Sequence, residues 1–357
     1  MKSLNQTLLG LRGLLALSVV IFHIYGSAII EGYITESSKE HLLYLLHYAG
    51  PISVDLFFVI SGYLITQSLL NKRTLGEFAI NRIIRIYPVF LLIHLIVFTF
   101  GPFIDYKWMA GIGVKDYVLH FISNALLLPG MLQLPIAQIV SWTLSYELFF
   151  YLVAGVVWFV YRSSKLNKLG KSILYLLLFV CCAIIVYHRM DLLFFAVGVV
   201  AYFSQDWIKQ RWQANKFFYL NGLIFLAAMY VSFQTLEKPL AAALILSFLF
   251  FMTIIRESGL VSSILRTRLM SYLGKISYSL YMWHTMVMFP LKVVVPKMTG
   301  LIGSPSLSVV LYAILSLVLS IGIAHFSYEF VEVRFSGYLK RKWKRKNHPP
   351  IQAELKT

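Results

Sequence analysis

Four titratable residues lie inside apolar runs: His23 in LRGLLALSVVIFH, Asp55 in VDLFFVISGYLI, Glu147 in SWTLSYELFF and His284 in ISYSLYMWH. A titratable group at bilayer depth is costly unless it is paired or solvated, so each of these needs a reason. A histidine within reach of a carboxylate makes a general base, because the carboxylate orients the imidazole and stabilises its cation. Arg12 opens the same run that His23 closes. Eleven residues advance a helix by three turns plus about 20°, so the two side chains share a face and stand roughly 16 Å apart along the axis. Ser277, Tyr281 and His284 form a second stripe at i, i+4, i+7. A third group, Arg82 and Arg85 in NRIIRIYP, lies at i, i+3 on one helix side. Together with Arg12 these guanidiniums can hold a phosphate-rich ligand bidentately.

Each residue also has a plainer reading. A lone membrane histidine is more often a packing or hydrogen-bonding group, and Asp55 fits the aqueous end of its helix. Glu147 suits a structural hydrogen bond as well as chemistry. Arginines at a span edge also serve as snorkelling anchors. Ser61 suits close helix packing, with Gly62, better than nucleophilic attack.

The elements that must position these groups are membrane helices. Of the 357 residues, 59% are hydrophobic and only 13% charged, too little polar cover for a soluble domain. Apolar stretches place ten spans near 8–30, 51–70, 83–101, 142–161, 171–188, 191–204, 217–235, 239–255, 272–294 and 306–328, the sixth being short. The expected fold class is therefore all-α, a polytopic transmembrane bundle of about ten spans. With the N-terminus inside, only Lys39, Lys107, Lys115, Arg189, Lys238, Lys292 and Lys297 of the 32 Lys and Arg residues lie outside. That asymmetry puts both termini in the cytoplasm and makes the net charge of +17 topological rather than a nucleic-acid footprint. His23, Asp55, Glu147 and His284 then occupy one layer in the outer half of the membrane.

The remaining features are modest. Cys181 and Cys182 read as small packing residues of the fifth span, with no disulfide framework. The first apolar run continues to Ile30 without a small-x-small cleavage site, which marks a retained helix. VLHFISNALLLPG (residues 118–130) is too short to span and suits a re-entrant or interfacial helix. Residues 1–335 form the membrane-embedded domain, and 336–357 a basic cytoplasmic tail suited to anionic lipid. No metal site is expected.

These pieces, taken together, resemble the acyltransferase-3 family of bacterial membrane O-acyltransferases. Arg12 with His23, VDLFFVISGYLI, RIIRIYP, SWTLSYE, GKISYSLYMWH and SYEFVEVRF, with its Glu332, follow one another in the family's order. Two departures touch the arginine side: Asn81-Arg82 replaces an arginine pair, and Arg334 stands about where a proline usually follows the terminal glutamate. The resemblance implies acyl-CoA, usually acetyl-CoA, as co-substrate, with no other cofactor, in a bacterial inner membrane. It also implies a carbohydrate acceptor, and a separate partner protein is possible. Arg12, Arg82 and Arg85 would hold the CoA phosphates, and His23 would act as base or acyl carrier with Glu147 assisting. Asp55, Ser61, Trp142, Tyr281 and His284 would line the acceptor or acyl passage. Buried His and Glu on several helices also suit a proton-coupled transporter, and an exporter of acyl groups or sugar precursors stays open, although no repeat or matched broken helices are visible.

Overall fold

The computed structural model describes residues 5–37, 41–71, 74–104, 106–211, 219–236, 239–300 and 305–347. Lys39, Lys238 and the last ten residues of the basic tail lie outside them. Among the described residues all regular structure is helical, without strands.

Local chemistry sets the ends of these helices. Helix α1 (Gln6–Ile30) begins where Asn5 Oδ1 accepts the amides of Thr7 and Leu8 at 2.8 and 3.2 Å, leaving few orphan donors. Thr74 caps α3 (Leu75–Phe100) through the Glu77 amide, and Asn167 caps α7 (Lys168–His188) through Gly170. Between α1 and α3 runs α2 (Leu46–Leu70). Helix α4 (Val114–Ala125) and the single turn α5 (Pro129–Leu132) lead into α6 (Trp142–Arg162). After α7 come α8 (Leu193–Arg211), α9 (Asn221–Thr235), α10 (Leu240–Ile255) and α11 (Gly259–Leu265). The chain closes with α12 (Arg268–Gly300), α13 (Pro305–Ser327), a π-helical stretch over Tyr328–Phe335 and α14 (Ser336–Asn347).

The chain is a multi-pass membrane protein, and each of the ten expected segments overlaps a helix of the described residues. Among the described residues seven helical segments are long and apolar enough to cross a membrane, or eight if α10 and α11, bent by 64° at their junction, form one broken span. The bend is placed by Glu257 and Gly259, both in left-handed backbone conformations. Helix α9 has 15 residues, about 22 Å, short of a hydrocarbon core of roughly 30 Å. Helix α12 has 33 residues but is not apolar enough to qualify, because Ser277, Ser279, Tyr281 and His284 interrupt it. Those four side chains are buried against other helices, so lipid never meets them.

Helix α1 is the hub: it packs on α2, α12, α13 and α11. Its approach to α12 is made by glycine: a Cβ on Gly274 would lie 2.0 Å from the Leu9 carbonyl oxygen, and one on Gly13 2.6 Å from the Gly274 nitrogen. Helices α2 and α8 meet in the same way. A Cβ on Gly62 would sit 2.1 Å from the Phe195 oxygen, and one on Gly198 2.1 Å from that of Val59. Small residues of this kind are what let membrane helices pack when no hydrophobic drive separates them from lipid. The Ser61-Gly62 pair divides its work, with Gly62 at the α2–α8 contact.

Helix α7 is the opposite case, with no buried residue along its length. Cys181 is exposed on it and Cys182 half-buried, both as free thiols. The two expected packing residues part company: Cys182 lies on the half-buried side of α7 with Ile185 and Val186, which pack against the core, while Cys181, one position away, faces outward. The segment 118–130 forms no span. Its first helix ends at Ala125, Leu127 turns the chain with a φ of 56°, and the single turn α5 follows from Pro129.

Candidate functional site

Two cavities lie along α1, one at the arginine end and one at the histidine end. Arg12, Arg82, Arg85, Ser61, Glu147 and Tyr278 line the first. His23, Asp55, Trp142, Asp191 and Phe233 line the second, a space of about 570 Å³. Val54 and Tyr281 belong to both walls. Four helices carry residues to each side: Arg12 and His23 on α1, Ser61 and Asp55 on α2, Glu147 and Trp142 on α6, Tyr278 and His284 on α12. The shared face inferred for Arg12 and His23 is what puts both on this axis.

At the histidine end the two imidazoles touch. His284 Nε2 lies 3.3 Å from His23 Nδ1, with ring centroids 4.9 Å apart and planes tilted by 59°. Backbone carbonyls fix the tautomers. His23 Nδ1 is 2.9 Å from the Val19 oxygen and His284 Nδ1 3.2 Å from that of Leu280. A carbonyl only accepts, so both Nδ1 atoms carry the proton in the neutral rings. His284 Nε2 is then the acceptor for His23, and His23 Nε2 keeps an open lone pair. His284 is fully buried, while His23 is half-buried on the cavity wall. This is the arrangement of a base whose far nitrogen is held by a second group, with a neutral imidazole where a carboxylate is the commoner partner.

Glu147 is placed differently from the single-layer expectation. It shares no hydrogen bond with His23; it accepts one from Ser61 Oγ at 3.4 Å and a short one from Tyr151 Oη. It lies in the arginine cavity. The physical reason is that the helix ends are not level. Ile139 and Val140, in the turn before α6, and Trp142, at its first position, already line the histidine cavity, so Glu147, about 7.5 Å along α6 from Trp142, falls beyond Tyr281. Tyr151, one turn on, was detectable from its i+4 spacing to Glu147.

The arginines converge as their spacing suggests. Arg12 and Arg85 form no hydrogen bond or ion pair within 4 Å among the described residues, so their donors are unspent. The Arg82 guanidinium sits over the Tyr151 and Phe78 rings, 5.6 and 5.4 Å from their centroids, and its buried Nε has no partner. Glu332, on the π-helical stretch, accepts from the Ser279 amide at 3.2 Å and hydroxyl at 2.6 Å, and it lies in electrostatic reach of Arg12 and Arg85. Three guanidiniums against two carboxylates leave the cavity positive. Tyr278 Oη donates to the Ile86 carbonyl at 2.6 Å and ties α12 to the arginine helix.

Between the two ends stands Tyr281, whose hydroxyl pairs with Thr143 Oγ1 at 2.9 Å and the Val140 oxygen at 3.3 Å. Trp142 packs edge-on against Phe58 and Tyr146. Asp55, buried on the histidine side, accepts no hydrogen bond from the described residues. Among those residues no group of His, Cys, Asp or Glu is placed to hold a metal ion.

A family model described as an acyltransferase domain matches residues 5–325, nearly the whole chain and every residue of both cavities. The chain belongs to this acyltransferase family. Curated relatives include the exopolysaccharide production protein ExoZ of Rhizobium meliloti (strain 1021). It is 27% identical over 260 residues, 66% of this chain and 76% of the relative. The O-acetyl transferase of Shigella phage Sf6 is 30% identical over 176 residues, 45% of this chain and 50% of that protein. No solved structure matches. The acyltransferase therefore carries its arginine and histidine groups in separate cavities that share Tyr281.

Proposed function

We propose that the chain moves an acetyl group from acetyl-CoA, bound from the cytoplasm, to a hydroxyl of an exported or cell-surface carbohydrate, from a bacterial inner membrane with both termini inside. The observation that carries this reading is the division of charge and base between two cavities that share Val54 and Tyr281 in their walls. Unspent guanidiniums at one end suit the CoA phosphates. The open lone pair of His23 at the other suits a sugar hydroxyl. Phosphates and thioester lie at opposite ends of CoA's extended arm, as do Arg12 and His23, roughly 16 Å apart along α1. The two relatives, one in exopolysaccharide production and one an O-acetyl transferase, support a carbohydrate hydroxyl as the acceptor.

In this mechanism His23 Nε2 takes the acceptor hydroxyl proton as the oxygen attacks the thioester carbonyl. The carbon–sulfur bond breaks, and the CoA thiolate leaves and takes up the proton that the His23 imidazolium gives back, which restores the neutral base. His284 holds the His23 ring, while Glu147 and Glu332 stand as counter-charges near the arginines. Tyr281 stands on the wall that both cavities share, Ser61 lines the arginine side, and Asp55 and Trp142 frame the acceptor's side. His23→Ala should abolish acetylation of the surface glycan, read by mass spectrometry, with normal protein in the membrane. Full acetylation in that variant would overturn the mechanism.

A further inference from the structure

The histidine-side cavity holds two carboxylates that base chemistry does not use. Asp55 comes from α2 and Asp191 from the turn before α8, and they lie near enough to repel each other. Asp55 is only 7% exposed, faces the cavity and accepts no hydrogen bond from the described residues. A buried carboxylate without a donor is costly unless something fills the space and supplies one. No lysine or arginine lines this cavity; Arg189 lies beside Asp191 and offsets part of its charge. The remaining wall is aromatic, with Trp142, Phe22, Phe194 and Phe233 offering flat apolar faces. A space of this kind, mostly apolar with a few convergent polar groups, is built for a small organic ligand.

We propose that Asp55 and Asp191 form a hydroxyl clamp for the acceptor, and that the sugar they hold is an uncharged one bearing neighbouring hydroxyls, not a uronic or other acidic residue. The inference rests on the acceptor reading given above. Paired hydroxyls donate to the two carboxylates, and the aromatic rings cover the apolar face of the pyranose. That leaves one further hydroxyl free to meet His23 Nε2. A sugar carboxylate in the same place would meet Asp55 with no cation on the wall to relieve it, a juxtaposition that costs specificity-determining energy. Asp191 is a position that neither the motif spacing nor the hydropathy pattern singles out.

The test is binding, kept apart from acyl transfer. Full-length protein in lipid nanodiscs, without acyl-CoA, is titrated calorimetrically with a short neutral gluco-oligosaccharide and with an oligogalacturonide. The neutral sugar should bind at least about tenfold more tightly. Asp191→Asn should weaken it about tenfold, as loss of a charged acceptor does, and narrow the gap between the two sugars. Asp191→Glu should restore most of the binding. Asp191 is exposed, so its replacement spares the fold, whereas Asp55 is buried. Equal or tighter binding of the oligogalacturonide, no binding of the neutral sugar, or an Asp191→Asn variant that binds both unchanged overturns the inference. Transfer of acetyl from acetyl-CoA, measured separately, decides the proposed function, so the two can fail independently.

Discussion

Replacing His284 tests whether the two histidines act as a unit. The His284 ring contributes one acceptor to His23 Nδ1, at 3.3 Å, and the Val19 carbonyl a second at 2.9 Å. His284→Leu keeps an apolar side chain in a fully buried site but removes the acceptor. One tautomer-fixing partner is lost and one remains, so the penalty is smaller than for losing the base itself, which general-base catalysis puts at about 10²–10⁴-fold. A hydrogen bond nets about 0.5–1.5 kcal/mol, and the freed ring loses alignment as well. We therefore expect kcat to fall roughly 10- to 100-fold, about 1.4–2.7 kcal/mol of activation free energy. KM for acetyl-CoA should not move, because the arginines lie in the other cavity. His284→Gln, whose Oε1 can still accept, should recover most of the rate. Steady-state acetyl transfer by protein in nanodiscs separates kcat from KM. A fully active His284→Leu variant, or a folded His284→Gln variant as inactive as His284→Leu, would refute the pairing.

Other outcomes follow from the packing and the charges. Arg85→Gln should raise KM for acetyl-CoA about tenfold or more, and Arg85→Lys should recover only part of it, since an ammonium cannot reproduce the bidentate fork; a KM unchanged in steady-state kinetics would place the phosphates elsewhere. Gly198→Leu should lower the thermal midpoint in detergent, because even its Cβ would stand 2.1 Å from the Val59 oxygen and force α2 and α8 apart, at a cost of about 1–3 kcal/mol or more. Burial pushes the Tyr106 phenol, in the loop after α3, up to about 12. The unfolded chain ionises near 10 and the folded chain later, so this group's stabilising contribution is intact below pH 10 and is lost as pH rises towards 12, by at most about 2.7 kcal/mol. Unfolding midpoints measured across that window should fall less steeply in Tyr106→Phe than in the parent.

The helices were legible because hydropathy and helical period are written locally. Arg12 and His23 on α1, and Arg82 with Arg85 on α3, needed only one helix each to be seen as aligned. Contacts between helices were less legible. His23 and His284 could be put at one depth, but their ring contact joins positions 261 residues apart, set by how Gly13 and Gly274 let α1 and α12 close. Glu147 went astray for a related reason: depth counted along a helix assumes that all helices start from one plane, and α6 starts inside the cavity's reach. Asp191 precedes its helix beside Arg189, where a charge reads as a solvated end. Helix α12 shows the limit of hydropathy itself, since a helix wrapped by others need not look apolar.

The π-helical stretch that carries Glu332 has one more consequence. A π-turn closes its hydrogen bonds five residues back instead of four, so it takes up more residues per turn than the helices on either side. Over Tyr328–Phe335 the chain is thus rotated relative to a continuous α-helix drawn on from α13. Glu332 reaches Ser279 and the arginines from that shifted phase, and the Lys- and Arg-rich α14 inherits it. Deleting one residue from the stretch would keep every side chain's chemistry yet turn the carboxylate aside and swing the basic helix to a new bearing, by about 100° for each residue removed. The length of this segment, as much as its composition, is under constraint.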